Sequence, residues 1–202
     1  RDKAILVMAT KFETAGNLVR KVKNIMKNLP DWIRIASITT DNRTSFELSN
    51  GSSIKAASTS GDAGRSEALS LLVLDEAAHI EGLDELWTGL YPTLSTGGEA
   101  IVLSTPNGVG GQYYDLWVLA EKGENIFNSI KLAWDVHPER DEAWFEAETK
   151  NMSQKQIAQE LLCDFAASGE TFLRVEDIEY IREWLRTPID RWGPDMGVWV
   201  WD

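Results

Sequence analysis

The segment Leu71-Leu72-Val73-Leu74-Asp75-Glu76 sets four apolar residues directly before two acids. If the apolar run is an inner strand of a parallel sheet, both carboxylates stand at its carboxyl end, where open α/β folds bind their ligands. An aspartate in that place can hold a Mg²⁺ that bridges nucleotide phosphates, and a glutamate beside it can orient and polarise an attacking water. An acid that follows a strand can equally cap the next helix, so this segment alone leaves both readings open.

Three further stretches bear on the choice. Arg65 lies ten residues before Asp75, in the loop Gly61-Asp62-Ala63-Gly64-Arg65. A guanidinium on such a loop can stabilise charge on a departing phosphate, and a solvated loop arginine is the plain alternative. Ile101-Val102-Leu103 runs into Ser104-Thr105-Pro106-Asn107-Gly108, which puts hydroxyl and amide groups at the carboxyl end of a neighbouring strand. Those groups could sense a γ-phosphate; the alternative is an ordinary turn built on Pro and Asn-Gly. The third stretch is Gln159-Glu160-Leu161-Leu162-Cys163-Asp164-Phe165, followed by Ser168-Gly169-Glu170-Thr171-Phe172-Leu173.

Positioning these groups requires a sheet, and the chain spells one. Ala4–Ala9 is a continuous apolar run, the pattern of a strand covered on both faces. A helix is predicted over about 13–29, with Leu18, Val22, Ile25 and Leu29 on one stripe and Pro30 ending it. Two short strands flank Ser49-Asn50-Gly51. A three-residue loop with Gly51 left-handed sets Phe46 opposite Ile54 and Thr44 opposite Ala56, whereas a two-residue loop would mix the faces. Residues 58–68 read as a polar loop before the strand Leu71–Leu74. A short helix near 82–90, a strand at Ala100–Leu103, a helix near 110–122 and a strand near 126–133 continue the alternation. That order argues for an α/β fold with a doubly wound, mostly parallel sheet and flanking helices. Beyond residue 138 the apolar strands stop. Ser153-Gln154-Lys155-Gln156 reads as a capping box opening a helix with Ile157, Leu161 and Phe165 on one side. A further amphipathic helix is expected at about 174–186, carrying Val175, Ile178, Ile181 and Leu185, and the tail 187–202 reads as a linker.

Composition narrows the function classes. The 202 residues are 43% apolar and 26% charged, a globular balance, and a chain of this size buries about 70% of its unfolded surface. One cysteine, Cys163, excludes an intramolecular disulfide and a Cys-cluster zinc site, and it fits a reducing compartment. Two histidines, His79 and His137, leave little room for a His-based metal site. No apolar run approaches the roughly 18 residues of a membrane span, and no signal peptide opens the chain, which begins without Met as though cut from something longer. The net charge of −12 is uneven. Residues 1–60 hold ten Lys/Arg against five acids, +5, and residues 61–202 hold ten against 27, −17. A local basic surface on an acidic chain can still meet phosphates, although scattered charge on solvated helix faces is the commoner meaning. His79, three residues after Glu76, reads as a structural residue of the following turn. His137-Pro138 reads as a turn and Cys163 as a buried small hydrophobe in a helix. Trp87, Trp117, Trp134 and Trp144 sit among apolar neighbours and read as packing rather than base-stacking platforms.

Taken together, these residues resemble the large terminase subunit of tailed bacteriophages, the ATP-driven motor that packages DNA into proheads. Leu71–Glu76 is similar to its Walker B motif, and Ser104–Gly108 to its coupling motif. Gly64-Arg65 resembles the Arg-bearing segment ahead of Walker B, Asn50-Gly51-Ser52-Ser53-Ile54 its hairpin, and Gln159–Leu173 the end of its ATPase domain. The resemblance covers roughly residues 1–175. It implies a P-loop NTPase-like (RecA/ASCE type) fold, incomplete here, with residues 1–172 as the latter part of the ATPase domain and 173–202 as a helical linker segment.

The resemblance also implies the chemistry. ATP and Mg²⁺ are the expected cofactors, with Asp75 holding the metal, Glu76 aligning water and Arg65 acting on a neighbouring subunit's nucleotide. Ser104, Thr105 and Asn107 would contact nucleotide and couple hydrolysis to movement. The implied partners are double-stranded DNA, the portal protein, the small terminase subunit and further copies in a ring on the prohead, with no membrane. The implied setting is the bacterial host cytoplasm, for a virus-encoded protein. Two features depart from the family pattern. No Gly-x-x-x-x-Gly-Lys-Ser/Thr phosphate loop is present, which in the family lies upstream. The RNase H-like nuclease domain would begin beyond Asp202, with Val198–Asp202 as the connection into it. A helicase-type translocase shares the strand-Asp-Glu logic but would show a second RecA-like lobe and its arginine motifs. A non-catalytic interaction module, with Asp75-Glu76 as a helix cap and the acidic half docking a basic partner, is the reading from another class.

Overall fold

The computed structural model describes residues 2–59 and 68–169, with short pieces at 180–181, 183–184, 190–192 and 198–200. The chain forms two compact units, Arg1–Leu132 and Ala133–Asp202.

The first unit is built on a six-stranded sheet in the order β2-β3-β4-β1-β5-β6. Its strands are β1 (Ala4–Ala9), β2 (Ile38–Asp41), β3 (Ser45–Leu48), β4 (Ser53–Ala57), β5 (Leu71–Asp75) and β6 (Glu99–Leu103). Strands β4, β1, β5 and β6 run parallel, and β3 and β2 extend the sheet antiparallel. The unbroken apolar runs explain the centre: Leu6, Met8 and Ala9 of β1 and Leu72 and Leu74 of β5 are fully buried. The hairpin has the expected register. Phe46 pairs with Ile54, the Ala56 amide donates to the Thr44 carbonyl, and Gly51 closes the three-residue loop at φ +84°. Strand β2 was not anticipated; it pairs with β3 through an irregular register.

Helix α1 (Phe12–Asn28) spans the predicted residues but turns a different face to the sheet. Its buried residues are Ala15, Gly16, Val19 and Lys23, whereas Val22 and Ile25 of the expected stripe are exposed. The cause is close approach. Ala15 and Gly16 let the helix backbone settle on the sheet, and a Cβ on Gly16 would lie 3.1 Å from Thr44 Cγ2. Lys23 reaches inward past the Phe46 ring to Asp41 Oδ1 at 2.6 Å and donates to the Asn42 carbonyl, while Lys27 meets Asp41 Oδ2 at 2.7 Å. A buried ammonium is tolerable because these oxygens replace its water.

Helix α2 (Leu83–Leu90) buries Leu83, Leu86, Trp87 and Leu90 at helical spacing in the core formed with Leu6, Met8, Leu72 and Leu74. Helix α3 (Gly111–Glu121) sets Tyr113 and Leu116 against that core. The strand expected near 126–133 is not one. Residues 124–133 form no ladder, and Ile126, Ile130 and Leu132 are exposed. Phe127 packs on the core and Asn125 ties the segment to the Leu116 carbonyl, but a period-two pattern becomes a strand only where a neighbour accepts its hydrogen bonds.

In the second unit, α4 (Glu142–Thr149) is capped by Asp141, which accepts from the Trp144 amide. Trp134 stacks on Phe145 and Trp144, with the Arg140 guanidinium 4.5 Å from the Trp144 ring centre. The Ser153–Gln156 capping box is present. The helix it opens is shorter than expected: Gln154–Gln156 passes into a π turn over Ile157–Leu161, which buries Ile157 and Leu161. Cys163 then stands at φ +51°, half-buried in the break, not inside a helix, and Asp164 caps a separate turn, Phe165–Ser168. In the tail read as a linker, β7 (Asp190–Trp192) and β8 (Val198–Val200) pair antiparallel. Of the helix expected at 174–186, residues 180–181 and 183–184 are helical and the remainder lies outside the described residues. Among the described residues no helix is long and apolar enough to cross a membrane.

Candidate active site

Asp75 is the last residue of β5, in register with Ala9 of β1 and Leu103 of β6. Three parallel strands therefore end at one level, and the residues after β5 and β6 lie side by side at the carboxyl edge. Asp75 Oδ1 accepts the Glu76 amide at 3.1 Å, which holds the carboxylate at the strand end. Glu76 has φ +54° and ψ +41°, a left-handed conformation that is strained for a side-chain-bearing residue. The kink reverses the chain into a single 3₁₀ turn, Ala77–His79, with Ala77 fully buried beneath it. The His79 amide closes that turn, donating to the Glu76 carbonyl at 2.9 Å, and the half-exposed Glu76 side chain stays at the surface.

The segment after β6 is fastened to this turn. Ser104 Oγ accepts the Ala78 amide at 3.1 Å, and Asn107 Nδ2 donates to the Ala78 carbonyl at 3.2 Å. His79 Nε2 lies 3.4 Å from Thr105 Oγ1 and 4.0 Å from Glu76 Oε2. Tyr113 of α3 donates its hydroxyl to the Ser104 carbonyl at 3.3 Å.

Five of the six candidates, Asp75, Glu76, Ser104, Thr105 and Asn107, thus come together at one place. The side chains of Ser104 and Asn107 brace the backbone of the residue two beyond Glu76. Arg65 lies outside the described residues. Sequence reasoning passed over His79 and Tyr113 as site components. The available signal was the i, i+3 spacing of Glu76 and His79, which one helical turn brings to the same side. Among the described residues no three His, Cys, Asp or Glu gather as a ready metal cage. Mg²⁺ does not need one, since it is commonly held by one or two carboxylates together with phosphate oxygens and waters, and a carboxylate fixed at a strand end fits that role.

A mostly parallel α/β sheet with an Asp-Glu pair and a braced polar segment side by side at its carboxyl edge is an open α/β fold of the kind that binds ligands at that edge. A family model described as terminase large subunit, T4likevirus-type, N-terminal, matches residues 1–180. The chain belongs to that family, and it is ATPase-domain sequence of a phage DNA-packaging motor.

Solved structures share the fold. The ATPase domain of the Thermus phage P74-26 large terminase matches with a TM-score of 0.64 at 20% identity, over 82% of this chain and 77% of that one. A large terminase from a thermophilic bacteriophage gives 0.65 at 12% identity, over 83% and 42%. That of bacteriophage HK97 gives 0.53 at 17%, over 91% and 36%. The chain therefore spans less than half the length of these last two terminases.

Proposed function

We propose that the carboxyl edge of β5 and β6 is the hydrolytic face of this motor, with Glu76 aligning and polarising the water that attacks the γ-phosphate of ATP. The observation that carries the reading is the strained Glu76 turn, set at the end of an inner strand and braced at the N–H and C=O of Ala78 by Ser104 and Asn107. Strain of about 1–3 kcal/mol persists only where its surroundings impose it, and it concentrates at functional sites. Structures of the thermophilic-bacteriophage terminase with ADP and with ATP-γ-S support nucleotide binding by this fold.

Asp75 holds Mg²⁺, directly or through a ligand water, and the metal when bound neutralises charge on the phosphates. Ser104, Thr105 and Asn107 carry the state of the nucleotide into movement of the segment that follows β6. Arg65 supplies its guanidinium to the nucleotide of a neighbouring copy. The rest of the reading follows the family: translocation of double-stranded DNA, a ring of copies on the prohead, the portal protein and small terminase subunit as partners, and work in the bacterial host cytoplasm. Residues 1–172 are then the latter part of the ATPase domain, and 173–202 lead toward a nuclease domain.

The deciding experiment is made in the full-length protein. Glu76→Gln abolishes hydrolysis while nucleotide binding persists; wild-type turnover by that variant removes Glu76 from the role. Asp75→Asn weakens Mg²⁺-dependent binding more than Mg²⁺-free binding, and equal weakening would assign Asp75 to capping. Arg65→Ala lowers turnover by roughly 10³–10⁵ with ATP affinity nearly kept, and mixing it with Glu76→Gln subunits restores some activity across the shared interface. A mixture that stays dead in an intact assembly means that Arg65 acts in cis or is only a loop residue. The 202 residues alone, without phosphate-loop amides and lysine to hold the triphosphate, turn over negligibly.

A further inference from the structure

His79 stands between the two halves of the site. Its Nε2 lies 3.4 Å from the Thr105 hydroxyl and 4.0 Å from the Glu76 carboxylate, so one nitrogen has an oxygen from each strand end within about 1 Å of hydrogen-bond distance. The first distance is a long hydrogen bond, and the second is too long for one. A relative shift of about 1 Å would carry the ring from one partner to the other. The backbone turns such a shift into a change of aim. Glu76 is left-handed and is followed at once by the 3₁₀ turn that ends in His79, and the Ala78 residue within that turn is held on its N–H by Ser104 and on its C=O by Asn107. When the Ser104–Gly108 segment moves, the turn that sets the direction of the Glu76 side chain moves with it.

We infer that His79 is the positioning residue that links Thr105 to Glu76, so that the place of the segment after β6 decides whether Glu76 is aimed at the water. This rests on the hydrolytic role proposed for Glu76 and adds a residue and a coupling route to it. The ring touches neither phosphate nor water in this scheme. It holds the carboxylate in one direction through Nε2, and it releases or tightens that hold through the Thr105 hydroxyl.

The test uses the full-length protein, with ATP turnover, ATP affinity and melting temperature measured on every variant. His79→Ala lowers kcat by about 10- to 100-fold, the scale of a misplaced catalytic group, and leaves the KM for ATP within about threefold. His79→Gln, whose amide can still donate to an oxygen, recovers most of the loss. Thr105→Val removes the hydroxyl at nearly constant volume and lowers kcat in the same way, and the double variant His79→Ala/Thr105→Val is no worse than His79→Ala, because the two residues act as one unit. The inference is overturned if His79→Ala keeps turnover within about twofold of wild type, or if the His79 and Thr105 losses multiply in the double variant. It is also overturned if the Gln variant is as impaired as the Ala variant, or if the loss only follows a lowered melting temperature. Should His79→Ala not fold, Thr105→Val and His79→Gln decide the matter by the same criteria. Glu76→Gln run in parallel separates the two levels: a dead Glu76→Gln beside an unaffected His79→Ala removes this inference alone, and an active Glu76→Gln removes the hydrolytic reading itself.

Discussion

Strands β5 and β6 are adjacent, parallel and equally apolar in sequence, yet they end in different surroundings. In β5, Leu72 and Leu74 are fully buried beneath α2. In β6, Ala100 and Val102 pack on that same core, while Ile101 and Leu103 on the alternate face are 51% and 43% exposed. On its other side β5 has β1, whereas β6 is the last strand in the order. The 126–132 segment goes one step further than β6: its Ile126, Ile130 and Leu132 are exposed, and it has no ladder among the described residues. An unbroken apolar run therefore states that a strand can be buried on both faces. Whether it is depends on what lies on each side. Asp75 ends the well-packed strand with Glu76 directly after it, and the segment that braces the following turn comes from the more exposed strand. This sets a carboxylate held at the end of a buried strand beside a polar segment that leaves a more exposed one.

Substitutions can break or sharpen that contrast. The largest loss is expected from Leu74→Ala, which empties a fully buried site directly before Asp75. Urea unfolding should show a cost of about 2–5 kcal/mol, and a cost below about 1 kcal/mol would mean that the β5 interior is as adaptable as β6. Next comes Gly98→Ala, at the entry to β6. A Cβ there would lie 2.2 Å from the Leu69 carbonyl oxygen and 3.0 Å from Leu94 Cδ2, so the backbone must move, at about 1–3 kcal/mol in the same assay. A neutral Gly98→Ala would show that β6 separates from β5 with little resistance.

Ile101→Ser should cost less than about 1 kcal/mol, because its side chain is half in water already. A loss as large as that of Leu74→Ala would erase the distinction between the strands. The smallest effect belongs to the opposite edge, where Asp41 clips α1 to β2. Hydrogen bonds from Lys23 and Lys27 hold its carboxyl below the ordinary value of 3.8. Its stabilising contribution is therefore present above about 3.8 and is lost as the pH falls through the lower folded-state value. Asp41→Asn should flatten the acid limb of stability measured against pH, and an unchanged limb would show the clip to be inert.

Much of this molecule was legible from residue types alone. The apolar runs at Ala4–Ala9 and Leu71–Leu74, the left-handed Gly51 with its Phe46–Ile54 pairing, and the Ser153–Gln156 box all follow from local chemistry: side-chain hydrophobicity, a missing Cβ, and a hydroxyl and an amide three residues apart. The Asp75-Glu76 pair and the Ser104–Gly108 stretch were equally legible, because a strand end places the residues that follow it. Tertiary structure alone decided which face of α1 is buried. The choice of Ala15, Gly16, Val19 and Lys23 over Val22 and Ile25 depends on how closely a helix can approach the sheet and on Asp41 waiting to receive an ammonium. It also left residues 126–133 without a ladder, since strand pairing needs a neighbour that sequence periodicity cannot supply. It brought His79 of one strand's turn to Thr105 of the next, a contact across 26 residues that exists only because β5 and β6 end at the same level.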